Sequence, residues 1–164
     1  MNAQLKKGLI VAAAHLAIVG SVGAKLLIDR ATRPRVWART APIDPDDPLR
    51  GRYVRLRVEG AAHELANDSS GQSVALAAQD GMLALVPTSD DSGLTARVSA
   101  RNGERVAVLD RPLAYFIPEH VADPSVRAPG EELWVEVTLP KHGAPRPIRL
   151  GVKKAGVLTP LDLD

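Results

Sequence analysis

The sequence predicts a mainly β protein: one antiparallel sheet or barrel-like domain with a short helix, preceded by an N-terminal transmembrane α-helix. Three observations carry this. Residues 8–24, "GLIVAAAHLAIVGSVGA", hold no formal charge. No later segment of any length keeps the 3.6-residue apolar period of a helix. Instead, short apolar runs recur every ~8–12 residues with turn chemistry between them, the mark of an antiparallel sheet or barrel.

Continued past Lys25 through Leu26, Leu27 and Ile28, the apolar run reaches about 20 residues, or ~30 Å of helix, enough for a bilayer core. Residues 8–28 are therefore expected to meet the lipid bilayer, with Lys25 snorkelling to the interface. A secretory leader cut after Ala24 is the competing reading, since Val22 and Ala24 suit a cleavage site. A core helix of a soluble fold is a third. Apolar residues resume beyond Ala24 and a basic stretch follows, which favours a retained anchor. His15 falls near mid-span, where an ionisable residue either faces another helix or is tolerated as neutral imidazole.

Residues 29–43 read as a basic juxtamembrane linker ending in a first extended segment, where Val36 and Ala38 alternate with Arg35, Trp37 and Arg39. Residues 44–164 read as the β domain. Lys6 and Lys7 precede the span, while Lys25, Arg30, Arg33, Arg35 and Arg39 follow it. A positive-inside count thus places the domain in the cytoplasm, although long domains translocate largely regardless of such charges.

The run "DPDDPLRGRYVRLRVE" from Asp44 to Glu59 opens the domain. Asp44, Asp46 and Asp47 evoke calcium, but Pro45 and Pro48 interrupt the alternating carboxylates that such a loop needs. Proline restricts its predecessor, so Asp44 and Asp47 are pushed to extended geometry in a rigid corner. The next residues form the clearest strand. Val54, Leu56 and Val58 take one face; Tyr53, Arg55, Arg57 and Glu59 take the other. Arg50, Arg52, Arg55 and Arg57 are candidate anion-binding residues, against the plainer reading of a solvated face paired with acids on the next strand.

Further strands are expected from Ser73, Met82, Leu94, Arg105, Leu113, Leu133, Pro147 and Val157, separated by turns such as "TSDDSG", "RNGE" and "KHGAP". A helical turn fits "AAHELA", and a short helix fits "PEHVADPSVRAPGEE" before Pro124.

Chemistry is sparsely signalled. The chain has no cysteine, so disulfides and thiolate chemistry are excluded. Ser69, Ser70, Ser73, His63, His120, His142 and Lys141 are available, yet no spacing pairs a nucleophile with a base, and neither GxSxG nor HExxH occurs. The expectation is no catalysis, no metal and no cofactor. A formal charge of +2 without a long basic run gives no indication of nucleic-acid binding.

At "APIDPDDPLRGRYVRLRV" the chain resembles the bacterial GDYXXLXY protein family, whose motif follows an Asp-Pro-rich segment and Leu-Arg-Gly. Gly51, Tyr53 and Leu56 match, with Arg50 in the preceding Leu-Arg-Gly; Arg52 stands where the family has Asp, and Val58 where it has the final Tyr. Farther on, "YFIPE" with Tyr115, Phe116, Pro118 and Glu119 resembles the family's second element. The resemblance implies a single-pass protein of the bacterial inner membrane with a periplasmic C-terminal domain, associated with a polytopic membrane protein. It brings no catalytic residue. Gly51 is expected to hold a special backbone geometry, Tyr53 to pack or bond through its hydroxyl, and Leu56 to be core. The expected role is a non-enzymatic accessory or interaction protein. Alternatives are an envelope module binding glycan, lipid headgroup or peptide, favoured if Trp37, Trp134 or Tyr53 is exposed beside Arg55 and Arg57, and a signal-peptidase-like hydrolase relative, which would need a Ser-Lys pair.

Overall fold

The computed structural model describes residues 3–41, 53–62, 64–67, 70–101 and 103–163. It divides after Arg33 into two compact units.

The first unit is helix α1, Ala3–Thr32. It is long and apolar enough to cross a membrane, and its large apolar side chains, among them Leu16 and Val19, are exposed. Two of the polar groups along its span bond within the helix. His15 Nδ1–H donates to the Val11 carbonyl at 2.9 Å, and Ser21 Oγ donates to Ile18 at 2.8 Å. A local bond of this kind lowers the cost of placing such groups in lipid. The helix runs past the expected end at Ile28, continued by Thr32 Oγ1 donating to Ile28 and by an Asp29–Arg33 pair at 3.3 Å. Pairs four apart stabilise a final turn.

Among the described residues the second unit has ten strands: β1 (Arg35–Ala41), β2 (Tyr53–Ala62), β3 (Gln72–Gln79), β4 (Met82–Pro87), β5 (Thr95–Arg101), β6 (Glu104–Leu109), β7 (Leu113–Phe116), β8 (Glu131–Thr138), β9 (Arg146–Lys154) and β10 (Val157–Pro160). The sheet order β1-β4-β3-β5-β6-β2 closes through a β1–β2 pairing into a six-stranded barrel. Strands β8, β9 and β10 extend the sheet from β1, and β7 extends it from β2. The expected linker 29–43 thus divides between the end of α1 and the hub strand β1, with residues 42 and 43 outside the described residues.

Most pairings are antiparallel, as alternation and short turns require. The barrel's seam is different. Strand β4 lies parallel to β1 at Trp37↔Met82 and parallel to β2 at Ala61↔Ala84 and Ala62↔Leu85. Two hairpins owe their tightness to positive φ at both central positions: Asp80 and Gly81 between β3 and β4, and Ala155 and Gly156 between β9 and β10. That is the backbone twist two-residue hairpins favour.

The expected short helix does not form. Between Pro118 and Glu131 the chain runs in turns, with Val126 N–H bonding Asp123 O at 3.2 Å and Ser125 N–H bonding Asp123 Oδ1 at 2.8 Å. Pro124 keeps Asp123 out of the α region, and the aspartate closes its own turn instead. The turn expected at "AAHELA" is also absent among the described residues, since Ala61 and Ala62 continue β2.

The core is aliphatic, as a 3% aromatic content demands. Val54, Leu56 and Val58 point inward with Val36, Val74, Leu85, Leu109, Val135, Val137 and Leu150. Alternation in β2 is read out directly as inward apolar and outward charged positions.

Candidate functional site

The two motif elements, some 60 residues apart in sequence, pair as neighbouring strands. In register, β2 and β7 match Tyr53↔Phe116, Val54↔Tyr115, Arg55↔Ala114 and Leu56↔Leu113. Leu56 is 1% exposed and is core. Tyr53 and Phe116 are 54% and 56% exposed, and their rings meet edge to face at 5.5 Å, a geometry the ring quadrupoles favour. Tyr115 is half-buried against the core. Ile117 is buried, Pro118 half-buried and Glu119 exposed just beyond. Asp44, Asp47, Arg50, Gly51 and Arg52 lie outside the described residues.

Arg55 and Arg57 share the outward face of β2 but do not share a site. Arg55 borders a shallow depression with Arg127 and Glu131; Arg57 borders another with Arg97 and Asp110. Arg97 Nε lies 3.3 Å from Asp110 Oδ1, so the second depression already contains a paired cation. The Lys154 ammonium, hydrogen-bonded at 3.2 Å, holds the Glu131 carboxyl below its ordinary value.

A concavity larger than either depression lies elsewhere. A groove of about 550 Å³ opens where β1, β2 and β4 meet, bordered by the start of β6 and by β8 and the β9–β10 hairpin. Its volume falls within the ~300–1,000 Å³ of small-molecule sites. Both tryptophans of the chain line it. Trp37 carries the Arg149 guanidinium 5.6 Å from its centroid, and Trp134 carries the Lys153 ammonium at 4.7 Å, within cation–π range.

An ion network reaches the groove through Arg39, Glu59 and Glu132 and continues to Arg101 in the neighbouring depression. Arg101 Nη1 donates to Glu59 Oε1 at 2.8 Å. Arg39 Nη2 donates to Glu132 Oε1, and Trp134 Nε1–H donates to Glu132 Oε2 at 3.2 Å. Between these two bonded halves, Arg39 Nε and Glu59 Oε2 face each other at 3.9 Å. Both atoms are buried and neither has a hydrogen-bond partner. Glu59, read from alternation as a surface residue, has only 6% of its side chain exposed. The only advance signal was charge: Arg39 and Glu59 of opposite sign on two strands that the register Arg39↔Glu59 sets side by side.

Gly151 makes the floor possible. A Cβ there would lie 2.8 and 2.9 Å from the Trp37 ring and 3.1 Å from the Thr159 carbonyl. Gly151→Ala is therefore expected to cost about 1–3 kcal/mol, as overpacking does, and to shift indole emission because both indoles line the groove. Unchanged melting and emission would show that the ring relaxes freely.

Among the described residues lining the groove none is Ser, Thr or His, and among the described residues no group of three His, Asp or Glu could hold a metal ion. The arrangement can recognise by stacking, hydrogen bonding and charge. A family model described as GDYXXLXY protein matches residues 15–150. No curated protein and no solved structure matches the chain.

Proposed function

The chain belongs to the GDYXXLXY protein family, and from that premise we propose that it is a membrane-anchored, non-enzymatic accessory protein whose barrel docks on a polytopic membrane partner through the motif edge. The observation that carries this reading is the exposed Tyr53–Phe116 pair. Large aromatic rings left in water at the end of a sheet are the residues that anchor interfaces. Strand β7 ends the sheet order among the described residues.

The domain is read as extracytoplasmic, in keeping with the family resemblance and against the charge count; protease protection in spheroplasts tests this, and cleavage only after lysis would reverse it.

Two lysines that a Ser-Lys hydrolase would recruit are otherwise engaged, Lys153 over Trp134 and Lys154 on Glu131, which supports the non-enzymatic reading. The central test is a gentle detergent pull-down of the full-length protein against its Tyr53→Ser/Phe116→Ser variant. A polytopic membrane protein should co-purify with the first and be lost from the second. The lost ring pair is worth only about 0.5–1.5 kcal/mol to the fold, so melting should change little. Equal recovery of partner by both proteins would overturn the motif edge as the docking surface.

A further inference from the structure

We propose that the groove over Trp37 and Arg39 is a binding site for a neutral, hydroxyl-rich ligand, a saccharide, independent of the motif edge. The first argument is charge. Arg39, Arg105 and Lys153 are matched in the lining by Glu59, Glu104 and Glu132. A site with three cations and three anions gives no net attraction to phosphate, carboxylate or nucleic acid. Its natural ligand carries no net charge.

The second argument is the broken centre of the ion network. Glu59 Oε2 lacks a donor and Arg39 Nε lacks an acceptor, at 3.9 Å from each other. Buried polar atoms left this way are costly, and a group that satisfies both gains on both sides. One hydroxyl does so from a single atom: its oxygen accepts from Nε–H while its proton goes to Oε2, each at ~2.8–3.0 Å. A trans peptide group cannot, because its N–H and C=O point in opposite directions. Arg39 lines the groove and retains 19% of its side chain exposed, so a small displacement of the guanidinium admits the hydroxyl.

The third argument is the lining. Trp37 and Met82 supply apolar surface, and Gly60, Ala61, Gly130 and Gly156 leave width along both walls. A ring with an apolar face and polar edges matches such a mixture of aromatic surface and few placed polar groups.

The test uses full-length protein in a detergent without a sugar headgroup, with indole emission as the readout; the two tryptophans are the only ones in the chain and both line the groove. The probes are maltotriose, cellotriose and tri-N-acetylchitotriose, with triglycine and glucuronate as comparisons. At least one neutral trisaccharide should change emission saturably below about 10 mM. Arg39→Lys, which removes Nε, and Ala61→Tyr, which narrows the groove from an exposed strand position, should each weaken that response at least about tenfold. The second variant keeps the ion network intact, so it separates a lost site from a lost fold. No saturable response to any trisaccharide would leave the gap to water and overturn the proposal. So would wild-type affinity in Ala61→Tyr, or a stronger response to triglycine or glucuronate than to every saccharide.

Discussion

Leu56→Ala is expected to lower stability by about 2–5 kcal/mol, the range for emptying a fully packed leucine site, and so to lower the melting temperature on the order of 10 °C. Leu56 is 1% exposed and sits opposite Leu113 in the β2–β7 register. It therefore bonds the two motif elements through the core, just inside the exposed ring pair. Thermal unfolding of the full-length protein followed by circular dichroism measures the loss. Tyr53→Ser, three residues earlier on the same strand but facing water, should shift melting by a small fraction of that amount. If Leu56→Ala melts with the wild type, the leucine is not held by the contacts described and the joining of β2 to β7 needs another cause.

That contrast between Leu56 and Tyr53 was legible in the sequence, because a period of two assigns faces without knowledge of any partner. The same local rule placed all ten strands close to where they form. It could not say which strands would be neighbours. The closure of the barrel depends on β4 lying parallel to both β1 and β2, a long-range choice that leaves no periodic trace in "MLALVP". Tyr53 and Phe116 were named as separate motif positions, and only the register makes them one edge.

The groove was harder to foresee for a related reason. Trp37 and Trp134 stood out as rare rings, but their common site follows from the Arg39↔Trp134 register between β1 and β8. Arg55 and Arg57 were correctly assigned one face, yet neighbouring side chains divide that face into two depressions. The expected helix before Pro124 failed on turn chemistry, where Asp123 and Pro124 together outweigh a weak helical preference. Glu59 is the instructive case. Alternation put it on the face opposite Val54, Leu56 and Val58, but the Arg39 and Arg101 side chains lie against its carboxylate, so a position off the core face is not an exposed one.

Glu59→Ala is accordingly expected to be the most damaging change of a charged residue among those described, costing about 2–4 kcal/mol. Breaking a buried ion pair from one side typically costs ~3–5 kcal/mol, and the figure is discounted because the Arg101 and Arg39 side chains remain 32% and 19% exposed and can recover some hydration. The loss arises from what remains: Arg101 Nη1 loses the acceptor it holds at 2.8 Å, and Arg39 keeps only Glu132. Glu59→Gln should fall between variant and wild type, since the amide oxygen still accepts while the charge is gone. A double-mutant cycle with Arg101→Met should show coupling of about 0.5–3 kcal/mol, because the methionine removes the stranded cation. Added salt gives an independent check. Exposed pairs such as Lys154–Glu131 are screened, whereas a contact with 6% of its carboxylate side chain exposed is screened much less. The penalty of Glu59→Ala should therefore persist at about 0.5 M salt, and a penalty that vanishes there would place Glu59 in solvent after all.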